Sequence, residues 1–159
     1  MEQKINNIHR VVIPVDSTDV SRVAAEQGAY FAKLLNVEVT IISVNDAENY
    51  MLSALLEEQL LIKNQELVEE IKLIAQDYGV AVNTKMCVGS PAEEIVKCVN
   101  DDDLIVMASQ GKKGFNRFLL GSVSEEVLKT APCPVMIIKE KRKKRSVEFL
   151  DDRTGEIRK

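Results

Sequence analysis

The sequence predicts an α/β protein with an open five-stranded parallel sheet and helices on both of its faces. Five short apolar runs rich in β-branched residues are spaced along the 159 residues, and segments with helical periodicity separate them. Strands that alternate with helices are typical of a parallel sheet. Right-handed crossovers let the first three strands build outward one way and the last two the other, which predicts the strand order 3-2-1-4-5.

The predicted strands are continuous apolar runs, such as VVIPV, that indicate burial on both faces of the sheet. They cover residues 10–16, 37–44, 80–88, 104–109 and 134–139.

Four helices are predicted between these strands. Apolar residues at three-four spacing mark residues 20–35 and 67–78, and Gly79 follows the second of these where a helix commonly ends. Capping boxes at residues 90–93 and 122–125 begin the other two helices, with Ser90 and Ser122 as caps.

The leucine-rich segment 46–62 leaves two interpretations open. It can continue the second helix backwards, or it can form a separate, partly exposed helix that serves as a lid or partner surface. Simple packing of its leucines against the core is the expectation we adopt.

Charge divides the chain into a domain at residues 1–139 and a charged extension at 140–159. The formal net charge of −4 is the sum of an acidic body and a basic end, in which residues 139–159 alone carry +4. The acidic body would repel nucleic acid, so nucleic acid is not an expected partner. The extension has no identified partner: it can attract an anionic surface, be a solvated linker, or form a small hairpin at 147–157.

Composition indicates a cytoplasmic protein. No apolar run approaches the ~20 residues that a transmembrane helix needs, and the first ten residues lack a secretory signal. The three cysteines, Cys87, Cys98 and Cys133, are odd in number and form no CxxC pair. We therefore expect them to be buried thiols.

A ligand site is predicted where the strand order reverses, after the first and fourth strands. Three of the seven glycines, Gly111, Gly114 and Gly121, follow the fourth strand, and the chain has no acidic residue from 104 to 124 although Lys112 lies there. Glycines let amide groups converge on an anion, and the start of a helix offers further amides. The segment therefore predicts a polyphosphate cradle. The alternative is that the glycines only make turns and that Ser122 only caps its helix; no Walker A or GxGxxG motif is present.

These motifs resemble the nucleotide-binding branch of the universal stress protein family. Its pattern G-x2-G-x9-G-[S/T] is matched by Gly111, Gly121 and Ser122, with Ala108 in place of the first glycine. The resemblance covers about residues 8–139 and includes VVIPVD, GSPAEEI, DLIVM and PCPVMIIK. It implies a Rossmann-like fold related to the adenine nucleotide α-hydrolases.

The resemblance also implies the ligand, its binding residues and the assembly. The ligand would be ATP, with Mg or Mn bound only through the phosphates. A homodimer would form through the edge strand from Pro134 to Lys139. The residues implied in nucleotide binding are Pro14, Asp16 and Val44 on the adenosine side, and Ala108, Ser109, Gly111, Lys112, Gly114, Gly121, Ser122, Val123 and Ser124 on the phosphate side.

No catalytic set is recognised, so an enzymatic role is left uncertain. His9 and residues 101–103 precede their strands and lie at the opposite end from the predicted site. We read 101–103 as a solvated turn. Asp16 is the one carboxylate expected near the phosphates, which predicts a sensor or regulator with slow hydrolysis at most. The alternatives are an interaction module that binds no nucleotide and a slow ATP hydrolase.

Overall fold

A computed structural model describes residues 7–46, 54–110 and 120–139 of the chain. It contains five strands and four helices in strict alternation: β1 (Arg10–Val15), α1 (Asp19–Leu35), β2 (Glu38–Asp46), α2 (Ala54–Gln76), β3 (Val82–Gly89), α3 (Pro91–Lys97), β4 (Asp103–Ala108), α4 (Ser122–Thr130) and β5 (Val135–Ile138).

The sheet confirms the predicted topology. Its order is β3-β2-β1-β4-β5, and all four neighbouring pairs run parallel. Helices α1 and α2 pack on one face, and α3 and α4 pack on the other. Because β1 and β4 lie at the centre, their apolar residues are covered from both sides, as the continuous apolar runs predict.

Close packing of α1 on the centre of the sheet depends on Gly28. A Cβ atom at this position would lie 2.5 Å from Cδ1 of Ile13 and 3.4 Å from Cβ of Val106. The absence of a side chain therefore lets the helix lie directly on β1 and β4, which fixes where its amino end meets the carboxyl end of β1.

The prediction that all strands are buried on both faces is wrong for β3. Four consecutive residues of this strand, 83–86, are exposed. β3 is the edge strand of the sheet, and polar Asn83, Thr84 and Lys85 interrupt its apolar pattern.

The expectation that the leucines of segment 46–62 pack against the core is also wrong for the described part. Residues 54–62 continue α2 backwards, but Leu55 is 66% exposed and Leu61 is 43% exposed. The buried residues of α2 all lie in its second half, from Leu67 to Ala75, because only that half lies against the sheet. Residues 47–53 and 140–159, with the proposed hairpin, lie outside the described residues.

None of the described helices is both long and apolar enough to cross a membrane.

Candidate functional site

The hydrogen-bonded ladder between β1 and β4 ends before the carboxyl ends of the two strands, and we call the region beyond its last pair the crevice. The ladder between these two strands joins residues 10–12 to residues 103–105, and no pairs follow in the described remainder of either strand. The ladder between β1 and β2, in contrast, continues to the end of β1. Pro14 lies beyond the last pair with β4, and it carries no amide hydrogen for a ladder bond. This crevice lies at the reversal of strand order, where the sequence predicts the site.

One wall of the crevice is the turn from β1 into α1. Oδ1 of Asp16 accepts a hydrogen bond from the Thr18 amide at 2.9 Å, and the Asp16 amide donates to Oγ of Ser21 at 2.9 Å. Thr18 caps α1 by accepting from the Ser21 amide at 3.2 Å. These bonds fix the Asp16 carboxylate, whose Oδ2 accepts no hydrogen bond from the described residues.

Thr18 and Ser21 were missed as site residues by the sequence analysis. The order Thr18-Asp19 is a recognisable start of a helix, with a hydroxyl cap followed by an acidic residue in the first turn. That signal would have found Thr18; Ser21, which is 1% exposed, gives no such signal in the sequence.

The opposite wall joins the end of β4 to the start of α4. The Gly121 amide donates to the Ser109 carbonyl at 2.7 Å, and Oγ of Ser124 lies 3.1 Å from the Ala108 carbonyl and 2.8 Å from the Ser109 carbonyl. Ser124 is 2% exposed. Its hydroxyl thus fastens the first turn of α4 to the end of β4, with residues 110–120 connecting the two.

Three backbone amides at the start of α4 have no acceptor within the helix. The cap is Gly121, not Ser122 as the capping box predicts, because the first intrahelical bond runs from the Glu125 amide to the Gly121 carbonyl at 2.9 Å. Helix geometry leaves the amides of Ser122, Val123 and Ser124 without intrahelical acceptors. They lie at the positive end of the helix dipole.

Ala108 and Val44 complete the described part of the crevice. Among the described residues other than glycine, Asn36 alone has a positive φ, so Ala108 has the extended backbone of a strand. An alanine therefore replaces the glycine of the motif without backbone strain. Val44 is half-buried and lies one residue beyond Ser43, the register partner of Val15.

The described residues include nine of the twelve predicted binding positions. All nine lie at the carboxyl ends of β1, β2 and β4 or in the first turn of α4. Gly111, Lys112 and Gly114 lie outside the described residues. No group of three or more His, Cys, Asp or Glu side chains within the described ranges could hold a metal ion.

The charged residues at the amino end of the sheet have a different role. Nδ1 of His9 lies 3.0 Å from Oδ2 of Asp102, at the amino end as expected. The interpretation of 101–103 as a solvated turn is wrong for Asp103, which is 2% exposed. Nε and Nη2 of Arg10 donate to Oδ1 and Oδ2 of Asp103 at 2.9 and 2.6 Å, because β1 and β4 pair at these two residues.

The hydrogen bonds of this pair determine the charge of Asp103. Burial raises the pKa of Asp103, but hydrogen bonds from Arg10 and the Asn100 amide, together with the positive charge of Arg10, outweigh burial. The net pKa lies below the ordinary value of 3.8. Asp103 is therefore an ionised structural group.

Comparison with known proteins identifies relatives of this chain. A sequence model of the universal stress protein family matches residues 7–139. The universal stress protein MJ0531 of Methanocaldococcus jannaschii is 40% identical over 146 residues, which cover 87% of this chain and 86% of that protein.

Solved structures show the same fold. The structure of MJ0577, a universal stress protein of the same organism, superimposes with a TM-score of 0.74 at 31% identity and covers 84% of this chain and 97% of that one. The universal stress protein of Archaeoglobus fulgidus in complex with dAMP has a TM-score of 0.65 at 23% identity, with 85% and 100% coverage.

Proposed function

Because the chain belongs to the universal stress protein family, we propose that it binds an adenine nucleotide, ATP first among them, in the crevice between β1 and β4. The observation that carries this proposal is the set of three α4 amides without intrahelical acceptors, beside the end of the ladder between β1 and β4. Amides at a helix start complement the charge of a phosphate.

The phosphates would lie against the start of α4. The amides of Ser122, Val123 and Ser124 would donate to phosphate oxygens, and the bond from Gly121 to Ser109 would hold the helix start in position. Gly111, Lys112 and Gly114, which the family motif places in the same loop, would also hold the phosphates. Ala108 and Ser109 would form the floor of this half of the site.

The adenosine half would lie against β1 and β2. Pro14 and Val44 would offer apolar contacts, and the free oxygen of the fixed Asp16 carboxylate would accept a hydrogen bond from a ribose hydroxyl. A relative of the same fold that holds dAMP supports an adenine mononucleotide core. A Mg or Mn ion would be bound through the phosphates, with Asp16 in contact directly or through water.

Binding would occur with slow turnover or none. Asp16 is the carboxylate that we place near the phosphates, and its Oδ1 accepts a hydrogen bond from the Thr18 amide. His9, the single histidine of the chain, lies at the other end of the sheet. The protein would thus act in the cytoplasm as a sensor or regulator in a stress response, its nucleotide serving as the signal.

The regulator would be a homodimer through β5 and its flanking residues, Pro134 to Lys139. β5 pairs with β4 on one side, and its four residues are half-buried. The carbonyls of Pro134 and Ile138 accept bonds from Ile105 and Ser109, so the backbone groups of the alternate residue Ile137 point away from β4. An open apolar edge favours pairing with a second strand.

Calorimetric titration of MgATP into three proteins tests nucleotide binding. Ser122→Pro removes one amide donor at the first helical position, where proline is tolerated, and Gly121 before it already has the extended backbone that proline requires. Ser122→Ala keeps the amide and is the matched control. We expect the alanine variant to bind like the parent chain and the proline variant to bind at least about tenfold more weakly, as loss of a charge-assisted bond implies.

Absence of heat with the parent chain at millimolar MgATP would reject the proposal in favour of an interaction module without nucleotide. Product analysis after long incubation would reveal a slow hydrolase.

Light scattering tests the dimer separately. At micromolar concentration we expect the mass of two 17.8 kDa chains. Ile137→Pro, which removes an outward amide, should give a folded monomer. A monomeric parent chain would contradict the dimer and leave nucleotide binding unaffected.

A further inference from the structure

Two thiols from different elements meet at the edge of the sheet. Sγ of Cys87, near the end of β3, lies 3.8 Å from Sγ of Cys98, the residue that caps the C-terminal end of α3. A disulfide requires about 2.05 Å between the sulfurs, so small side-chain movements suffice to form the bond. Both residues belong to the apolar cluster between the sheet and α3, which keeps the two thiols together.

The cysteine residues are partly exposed. All three cysteines are half-buried and free, contrary to the expectation of buried thiols. The reason is that β3 is the edge strand and α3 covers it with only two turns. Cys133 has no second thiol within contact distance among the described residues, so the chain supplies its own control.

A cation lies beside the pair. Lys85 is two residues before Cys87 and therefore on the same face of β3, and the nearby sulfurs of Cys98 and Cys87 raise the pKa of Lys85. Burial raises the pKa of Cys87, and the neighbouring Cys98 adds to this effect. A positive charge near two thiols favours attack on an oxidant by a sulfur in its thiolate form.

We propose that Cys87 and Cys98 are a redox-active pair that a hydroperoxide converts into a disulfide between β3 and the end of α3. The Cys98 sulfur attacks the peroxide oxygen; the O–O bond breaks, an alcohol or water leaves with one proton, and Cys98 becomes a sulfenic acid. The Cys87 sulfur then attacks the Cys98 sulfur, the S–S bond forms, and the S–O bond breaks to release water. Two thiols lose two electrons, which reduce the peroxide.

The disulfide would form next to the proposed nucleotide site. Cys87 is the register partner of Val44, and both side chains belong to the same apolar cluster. Oxidation would therefore alter how α3 supports the adenosine half of the crevice. This consequence rests on the proposed function, whereas formation of the bond does not.

Intact-mass spectrometry of the reduced full chain, treated with hydrogen peroxide and alkylated, tests the proposal. We expect the mass of two hydrogens to be lost and one thiol to remain for alkylation. Trypsin cleavage after Lys85 and Lys97 separates the two cysteines, so the bond would join peptide 86–97 to the peptide that begins at Cys98.

Three variants make the test specific. Cys133→Ser should form the same disulfide. Cys87→Ser should stop at a sulfenic acid on Cys98 that dimedone traps, and Lys85→Gln should react more slowly, since the positive charge beside the pair is lost. Circular dichroism confirms that each variant is folded. A disulfide through Cys133, or a folded parent chain that keeps all three thiols after peroxide treatment, would overturn the proposal.

Discussion

The two ends of the sheet differ in how their polar groups are used. At the amino end, Arg10 forms an ion pair with Asp103 between β1 and β4, and Nδ1 of His9 lies 3.0 Å from Oδ2 of Asp102. At the carboxyl end the ladder between the same two strands has ended, and the polar groups that the described residues offer include the amides at the start of α4 and Oδ2 of Asp16. Charged side chains thus join the strands at one end, whereas backbone amides and the Asp16 carboxylate lie at the crevice at the other.

This difference shows why the charged residues of the sequence are poor guides to the site. A histidine and three consecutive aspartates suggest chemistry, yet His9 contacts Asp102 and Asp103 pairs with Arg10. The proposed ligand groups are amides of small residues, whose side chains carry no charge. An anion needs donors that are held in place, and a helix start supplies them without a charged side chain.

The largest expected effect is a loss of stability when the ion pair at the amino end of the sheet is broken. Asp103→Ala leaves the Arg10 guanidinium half-buried without its carboxylate, and we expect the free energy of unfolding to fall by about 3–5 kcal/mol, as for other buried pairs. Denaturant titration measures this. Asp102→Asn, which affects only the exposed pair with His9, is the matched control and should cost less than about 1 kcal/mol. Equal effects of the two variants would contradict a buried pair at this end.

Acid should weaken the same pair. Since the pKa of Asp103 is lower in the folded chain than its ordinary value of 3.8, its contribution to stability is complete above that value and is lost as the pH falls through the folded pKa. The parent chain should therefore lose stability below about pH 4 more steeply than Asp103→Asn, in urea titrations at stepped pH. Identical pH profiles would show that Asp103 makes no such contribution.

A smaller effect is expected where α4 is fastened to β4. Ser124→Ala removes the hydroxyl that reaches two carbonyls, but the Ser109 carbonyl keeps its bond from Gly121, so the loss of stability should be about 1 kcal/mol. MgATP should bind more weakly because the amides of α4 lose their fixed position. Ser122→Ala removes an exposed hydroxyl two residues nearer the cap, and it should change neither the stability nor the affinity for MgATP. A loss of stability with unaltered affinity for MgATP would show that the Ser124 hydroxyl does not position the α4 amides for the ligand.

The smallest effect concerns the residue that departs from the glycine motif. Ala108→Gly should lower stability by about 0.5–1 kcal/mol, since the backbone is that of a strand and glycine gains nothing there. Affinity for MgATP should remain within about twofold in the same calorimetric titration. A marked gain in affinity would instead show that the alanine methyl group obstructs the ligand.

The sequence predicted the topology because the signals for it are local. Continuous apolar runs mark β1, β2 and β4, and helical periods mark α1 and the second half of α2, so the alternation and the strand order follow. Gly28 and the Arg10–Asp103 pair could not be predicted, since each depends on contacts between elements distant in the chain. The exposed leucines of α2 mislead for the same reason: periodicity marks an apolar face but does not say what covers it.

The position of the crevice was predictable from strand order, but its polar groups were predictable only in part. The pattern Gly121-Ser122 marks the helix start, whereas the bond from Gly121 to Ser109 and the contacts of Ser124 arise from the fold. The meeting of Cys87 and Cys98 was not predictable either, because it requires α3 to return its C-terminal end to β3.

Amide chemical shifts of the ¹⁵N-labelled chain, recorded as MgATP and then adenosine are added, test the central claim most directly. We predict large shifts at Ser122, Val123 and Ser124 with MgATP, much smaller ones with adenosine, and none at Arg10 or Asp103. A groove of about 280 Å³ at the amino end, between Asn36 and Gly79, serves as the control region, where we expect no shifts with either ligand. Shifts confined to that groove, or α4 amides that respond equally to both ligands, would contradict a phosphate site at the start of α4.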